Sequence, residues 1–128
     1  MSDQSTKEPQ YNLVFDVVEK HGRANLGLLI NESWQQDPKR SLFTLSRYKF
    51  AARMLEGNNK VLEIGCADAF GTRIVQQSVS NVTAIDFDPI FIRVAQERMN
   101  QQWQFNCKVH DILDGPVNDQ GLFEAIYT

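Results

Sequence analysis

The stretch Lys60-Val-Leu-Glu-Ile-Gly-Cys-Ala-Asp-Ala-Phe-Gly71 constrains the fold of this chain more than any other. Val61, Leu62 and Ile64 form a short apolar run with one acid, Glu63, inside it. Gly65 to Ala69 follow as a turn of small residues, and Phe70 to Ser78 can start a helix. A buried strand, a turn without bulky side chains and a helix start leave bare backbone for a ligand to lie against. The rest of the chain is therefore tested against a parallel α/β arrangement.

It fits. Val79 to Asp86 reads as a second buried strand ending in an acid, and Asp88-Pro89 as the start of a helix from Ile90 to about Asn100. That helix carries the stripe Phe91, Val94, Ala95, Arg98 and Met99, with the Arg98 stem able to cover core. Trp103 to Val109 alternates as a third strand, with Phe105, Cys107 and Val109 on one face, and ends at His110-Asp111. Ile112 to Gly121 reads as a loop, and Phe123 to Tyr127 as a fourth strand. Continuous apolar strands alternating with helices predict a mostly parallel sheet of about four strands, with helices on both faces. Right-handed crossovers place the first strand inside it.

Ahead of the sheet, residues 11–59 predict a helical cap, and residues 1–10 a mobile polar tail. Leu13, Val14, Val17 and Val18 fall on one helical stripe, which Gly22 ends. Ala24 to Ile30 is ambiguous between helix and strand, and Asn31 to Gln36 reads as a polar connector. Asp37-Pro38 opens a helix to about Glu56, with Phe43, Phe50 and Met54 sharing a face.

With 128 residues the chain makes one small domain. Its net charge of −3 argues against nucleic acid as the main partner. No apolar run reaches the roughly 20 residues of a membrane helix, and Met1 to Gln10 lacks the pattern of a secretory signal. Two cysteines, Cys66 and Cys107, suggest neither a disulfide framework nor a metal site, so a cytoplasmic setting with reduced thiols is expected.

Three predicted strand tips carry the chemistry. The first holds Gly65, Cys66 and Ala67, the second Asp86, and the third Asp111. A carboxylate such as Asp86 can accept from the two hydroxyls of a ribose, and Asp111 from an amino group such as that of adenine. Phe87 can lie on a purine face. A dinucleotide normally requires Gly-x-Gly-x-x-Gly, whereas this chain reads Gly65-Cys-Ala-Asp-Ala-Phe70. Asp68 would set negative charge beside the phosphates. S-adenosylmethionine (SAM) has no phosphate, carries two cationic groups and tolerates Glu63 and Asp68.

Val61 to Gly71 resembles the first motif of class I SAM-dependent methyltransferases. Val82 to Pro89 resembles their ribose-binding segment, Val109 to Leu113 their adenine-binding segment, and Phe123 to Tyr127 their fourth strand. The resemblance spans residues 60–128 and implies a Rossmann-like fold, SAM as cofactor and methyl transfer to an unidentified acceptor. It implies that Gly65, Cys66 and Ala67 line the methionine part through backbone, while Glu63 steadies the loop and the amino end. Asp86 would hold the ribose and Phe87 would lie beside the adenine. Asp111 would meet the adenine amino group, and the Ile112 backbone a ring nitrogen. The family often has glycine where this chain has Ala67 and Ala69, and its sheet has seven strands. The chain therefore reads as the N-terminal part of such an enzyme, with an exposed fourth strand able to self-associate. No catalytic base is singled out. A non-catalytic SAM-binding or interaction module, and further behind a nucleotide-binding oxidoreductase fragment, are the alternatives.

Overall fold

The computed structural model describes residues 5–118 and 121–128. Four parallel strands form one sheet in the order β3-β2-β1-β4, from β1 (Lys60–Ile64), β2 (Asn81–Asp86), β3 (Asn106–Val109) and β4 (Ala125–Tyr127). The first strand is internal, as right-handed crossovers require. Ahead of the sheet come α1 (Leu13–His21), α2 (Gly27–Gln36) and α3 (Pro38–Met54), and between strands α4 (Thr72–Gln76) and α5 (Pro89–Arg98).

Helices α3, α4 and α5 pack against one face of the sheet. Val61 pairs with Val82, and Ala84, two residues further along β2, pairs with Cys107. Alternation puts these four side chains on the same side. One core cluster packs Val61 and Val82 with Val75 of α4, Ala52 of α3 and Leu55, and a second packs Ala84 and Cys107 with Ile92 and Ala95 of α5. The expected covering of both faces by helices takes a different form for a topological reason. The steps β1-α4-β2 and β2-α5-β3 move in one direction across the sheet, so right-handed connections place both helices on one side. The return from β3 to β4 runs the other way, and the same rule assigns such a connection to the opposite face. Among its described residues the only regular element is a 3-10 turn, Ile112–Asp114.

The cap departs from expectation in three places. Asn31 to Gln36 continues α2 and is no connector. In α3 the inward stripe is Ser41, Leu45, Tyr48 and Ala52, leading on to Leu55, whereas Phe43, Phe50 and Met54 are each about two-thirds exposed or more. The valine stripe of α1 forms the expected helix but stays largely exposed. Of the tail expected over 1–10, residues 1–4 lie outside the described residues. Thr6 donates its N–H and hydroxyl to Asn12 Oδ1, and a 3-10 turn spans Pro9–Tyr11. Residues 119 and 120 of the expected 112–121 loop also lie outside the described residues.

Candidate functional site

The loop leaving β1 is held in a left-handed backbone. Gly65 has φ +75°, Ala67 +50° and Ala69 +57°. Left-handed geometry costs an alanine roughly 1–2 kcal/mol, so the loop keeps this shape only because its surroundings hold it. A Cβ built on Gly65 would meet nothing within 4 Å. The glycine is therefore needed for its dihedral, and its open side is exposed backbone.

Asp86, at the tip of β2, anchors that loop. Its Oδ2 accepts from the Ala67 N–H at 2.8 Å and its Oδ1 from the Asp88 N–H at 2.9 Å. A carboxylate has about four acceptor positions, so among the described residues one remains on each oxygen. The Asp86 carbonyl accepts from the His110 N–H at 2.9 Å, which brings the β3 tip alongside. Asp111 follows, its Oδ1 capping the Ile112–Asp114 turn through the Leu113 N–H. Phe87 is 71% exposed, and Ile112 lies on the surface beside Asp111. The strand tips thus gather Gly65, Cys66, Ala67, Asp86, Phe87, Asp111 and Ile112.

Glu63 occupies a different position from these. It is 2% exposed and accepts three hydroxyl hydrogen bonds. Tyr48 of α3 donates to Oε1 at 2.5 Å, while Thr72 of α4 and Tyr127 of β4 donate to Oε2 at 2.5 and 2.8 Å. Burial pushes the Glu63 carboxyl above its ordinary range, against the lowering pull of these donors. Burial first, and then the Glu63 charge, push both phenols upward. A cavity of about 150 Å³ lies beside this network, lined by Arg47, Tyr48, Glu63, Gly65 and Tyr127 among others. Asp86, Phe87, Asp111 and Ile112 are not among its lining residues.

Both thiols are buried and unpaired. The neighbouring Cys107 thiol, and then burial, push Cys66 upward, which runs against activation as a thiolate. Asp68 does not face the ligand edge. It is buried, accepting from the Leu29 N–H at 3.1 Å beside Arg98, so its charge has no bearing on a phosphate at the strand tips. Sequence reasoning also missed Tyr48 and Tyr127 as partners of Glu63, because the three lie on separate elements and no periodicity links them. Among the described residues no group of three or more metal-ligating side chains occurs.

The residues fit a nucleoside. Open backbone at Gly65, two spare acceptor positions on Asp86 and an exposed ring at Phe87 lie at adjacent strand tips.

Comparison with known proteins agrees. A family model described as a methyltransferase domain matches residues 61–128, just over half of the chain. The ubiquinone biosynthesis O-methyltransferase of Xanthomonas campestris pv. campestris (strain B100) is 27% identical over 103 residues, covering 77% of this chain and 43% of that protein. The N-methyltransferase NodS from Bradyrhizobium japonicum WM9 superposes with a TM-score of 0.50 at 26% identity, over 69% of this chain and 47% of NodS. NodS in complex with S-adenosyl-L-homocysteine gives 0.52 at 22% identity, over 88% and 54%. The chain thus spans about half the length of the proteins it matches. With a Rossmann-like parallel sheet, a left-handed glycine turn after β1 and an acid at the tip of β2, this chain belongs to the methyltransferase-domain family.

Proposed function

We propose that this chain is the cofactor-binding part of a SAM-dependent methyltransferase whose acceptor is an oxygen or nitrogen nucleophile, as the names of its relatives indicate for them. The observation that carries the reading is the Gly65 backbone, open on one side, in a loop fastened through Ala67 to Asp86. Gly65, Cys66 and Ala67 line the methionine part through backbone. Asp86 takes the ribose hydroxyls on its spare acceptor positions, and Phe87 lies beside the adenine. Asp111 accepts from the adenine amino group, and the Ile112 backbone meets a ring nitrogen. Glu63 acts from beneath the loop, where its hydroxyl partners hold α3, α4 and β4 around the tip of β1. Arg47, which lines the cavity with Gly65, is a cation available to the cofactor's carboxylate.

When bound, SAM supplies a sulfonium-activated methyl group. The chain's contribution is alignment, which can supply much of the acceleration of an in-line displacement. No side chain is assigned as a base, which is needed only if the acceptor must lose its proton early.

Among the described residues no helix is long and apolar enough to cross a membrane. Two free thiols favour the cytoplasm. Among the described residues the outer edge of β4 pairs with no strand, and copies of the chain can associate through it.

Calorimetry with S-adenosylhomocysteine tests the site. Asp86→Ala should raise Kd at least about tenfold, since each hydrogen bond to a charged acceptor contributes about 1.5–3 kcal/mol. Unchanged affinity removes the ribose assignment, and tighter binding of NAD would favour the oxidoreductase alternative. Transfer of tritium from labelled SAM into a cell extract separates a transferase from a binding module.

A further inference from the structure

The Gly65–Ala69 loop is fastened on its far side as well, by a contact with no part in the nucleoside edge. Asp68 points away from the strand tips toward the first turn of α2, where its Oδ2 accepts from the Leu29 N–H. The first amides of a helix have no partner within it, and Leu26, at the cap position, makes no side-chain cap bond. Asp68 supplies that cap from 39 positions away. Gly27 makes room for it. A Cβ there would lie 2.5 Å from Asp68 Oδ2, and Gly27 has φ +75°.

The carboxylate also has a counter-charge. Arg98, near the end of α5, donates to the Asp68 carbonyl and holds its guanidinium 3.9 Å from Oδ1. Both side chains are almost fully buried, at 7% and 4% exposure, and the guanidinium lies over the Phe70 and Trp103 rings at 5.5 and 5.8 Å. Burial lowers the Arg98 pKa, and the Asp68 charge pulls it back. Arg98 Nε is buried with no hydrogen-bond partner. A buried ion pair stabilises a fold little more than apolar packing would; what it supplies here is a fixed carboxylate between two left-handed alanines.

We propose that Asp68 is a positioning residue that couples the docking of α2 to the ligand-ready shape of the Gly65–Ala69 loop, with Arg98 holding it in place. A strained loop keeps its conformation only while its surroundings over-determine it, and Asp68 is the residue between the two strained positions. Coupling of this kind is reciprocal. Filling the loop steadies α2, and docking α2 tightens the loop's grip. The second half of this statement rests on the cofactor reading above; the first does not.

Hydrogen exchange on the full chain tests the two halves separately. Two variants break the contact by different routes. Asp68→Leu with Arg98→Met removes the acceptor and both charges together and avoids leaving either charge buried alone. Gly27→Ala keeps both charges and drives a methyl into the carboxylate. Without ligand, the Leu29 amide should exchange at least about tenfold faster in both variants, the scale of one hydrogen bond to a charged acceptor, while β1 and β2 amides keep wild-type protection. Wild-type exchange at Leu29 in both variants overturns the latch. With S-adenosylhomocysteine, α2 should gain protection in the wild type and not in the variants, whose Kd should rise about tenfold. Equal affinity and equal gain in all three overturn the coupling. If the wild type itself fails to bind, the cofactor reading falls and the coupling with it, and the ligand-free comparison still decides the latch.

Discussion

Glu63 sits in the apolar run of β1 with three hydroxyls on its carboxylate, and its folded pKa lies above its ordinary value of 4.5. The folded state therefore binds a proton that the unfolded state has already lost once pH passes 4.5. Stability from this group is fully present below that value, declines as pH rises to the folded pKa, and is flat beyond it. Glu63→Gln keeps the shape and cannot titrate. Its stability relative to the wild type should rise with pH across this window and then level off, as read from urea midpoints of both proteins between about pH 4 and 8. A difference independent of pH would show that the buried carboxyl titrates as it does in water. The acid was visible in the sequence, since one Glu inside Val-Leu-Glu-Ile is conspicuous. Its partners were not, because Tyr48 and Tyr127 come from 15 positions before and 64 after. For the same reason Asp68 was read as facing the ligand and Arg98 as an aliphatic cover.

Among the elements, legibility followed the kind of signal each segment carries. Strands β1 and β2 and the start of α5 were legible because apolar runs and an Asp-Pro start are local statements. In α3 the strongest apolar stripe, Phe43, Phe50 and Met54, faces outward, and a mixed stripe with Ser41 and Tyr48 faces in. Burial there follows two hydrogen bonds, Ser41 with Ser33 of α2 at 2.7 Å and Tyr48 to Glu63, which a hydrophobicity pattern does not register. The loop after β1 was legible as a turn, but not the two alanines in left-handed geometry. Ala67 should be improved by glycine. Ala67→Gly relieves roughly 1–2 kcal/mol of strain against about 0.5–1 kcal/mol of added unfolded-state entropy, so a small net gain in thermal midpoint is expected. Gly65→Ala does the opposite, adding similar strain and projecting a methyl into the open side of the site. A lower midpoint with weaker S-adenosylhomocysteine binding is expected. If Gly65→Ala bound the ligand unchanged, the cofactor would not approach the backbone there.

At the scale of the whole molecule, the accessible surface of 9132 Å² is large for a mass of 14.7 kDa. A compact monomer of that mass would expose roughly 6,900 Å². The excess, on the order of 2,000 Å², is more than the roughly 800 Å² that one partner contributes to a standard protein interface. Part of it is concentrated in one place. Ile126 of β4 is 59% exposed, and β4 pairs only with β1, so its other edge is open among the described residues. The outward side chains Phe43, Phe50 and Met54 of α3 line a broad concavity together with Ile126 and Tyr127. An open strand edge next to exposed aromatics is what a second strand and its side chains cover. A second copy presenting the same edge can extend the sheet through β4 and bury the α3 aromatics in one step. Light scattering on the eluting peak should therefore give a mass above 14.7 kDa that rises with loading concentration. Ile126→Lys with Phe50→Lys should return it to the monomer, because charge on an edge strand and in its apolar surround opposes pairing. A strictly monomeric wild type at high concentration would mean that this surface is tolerated bare, and the self-association proposed through β4 would be wrong.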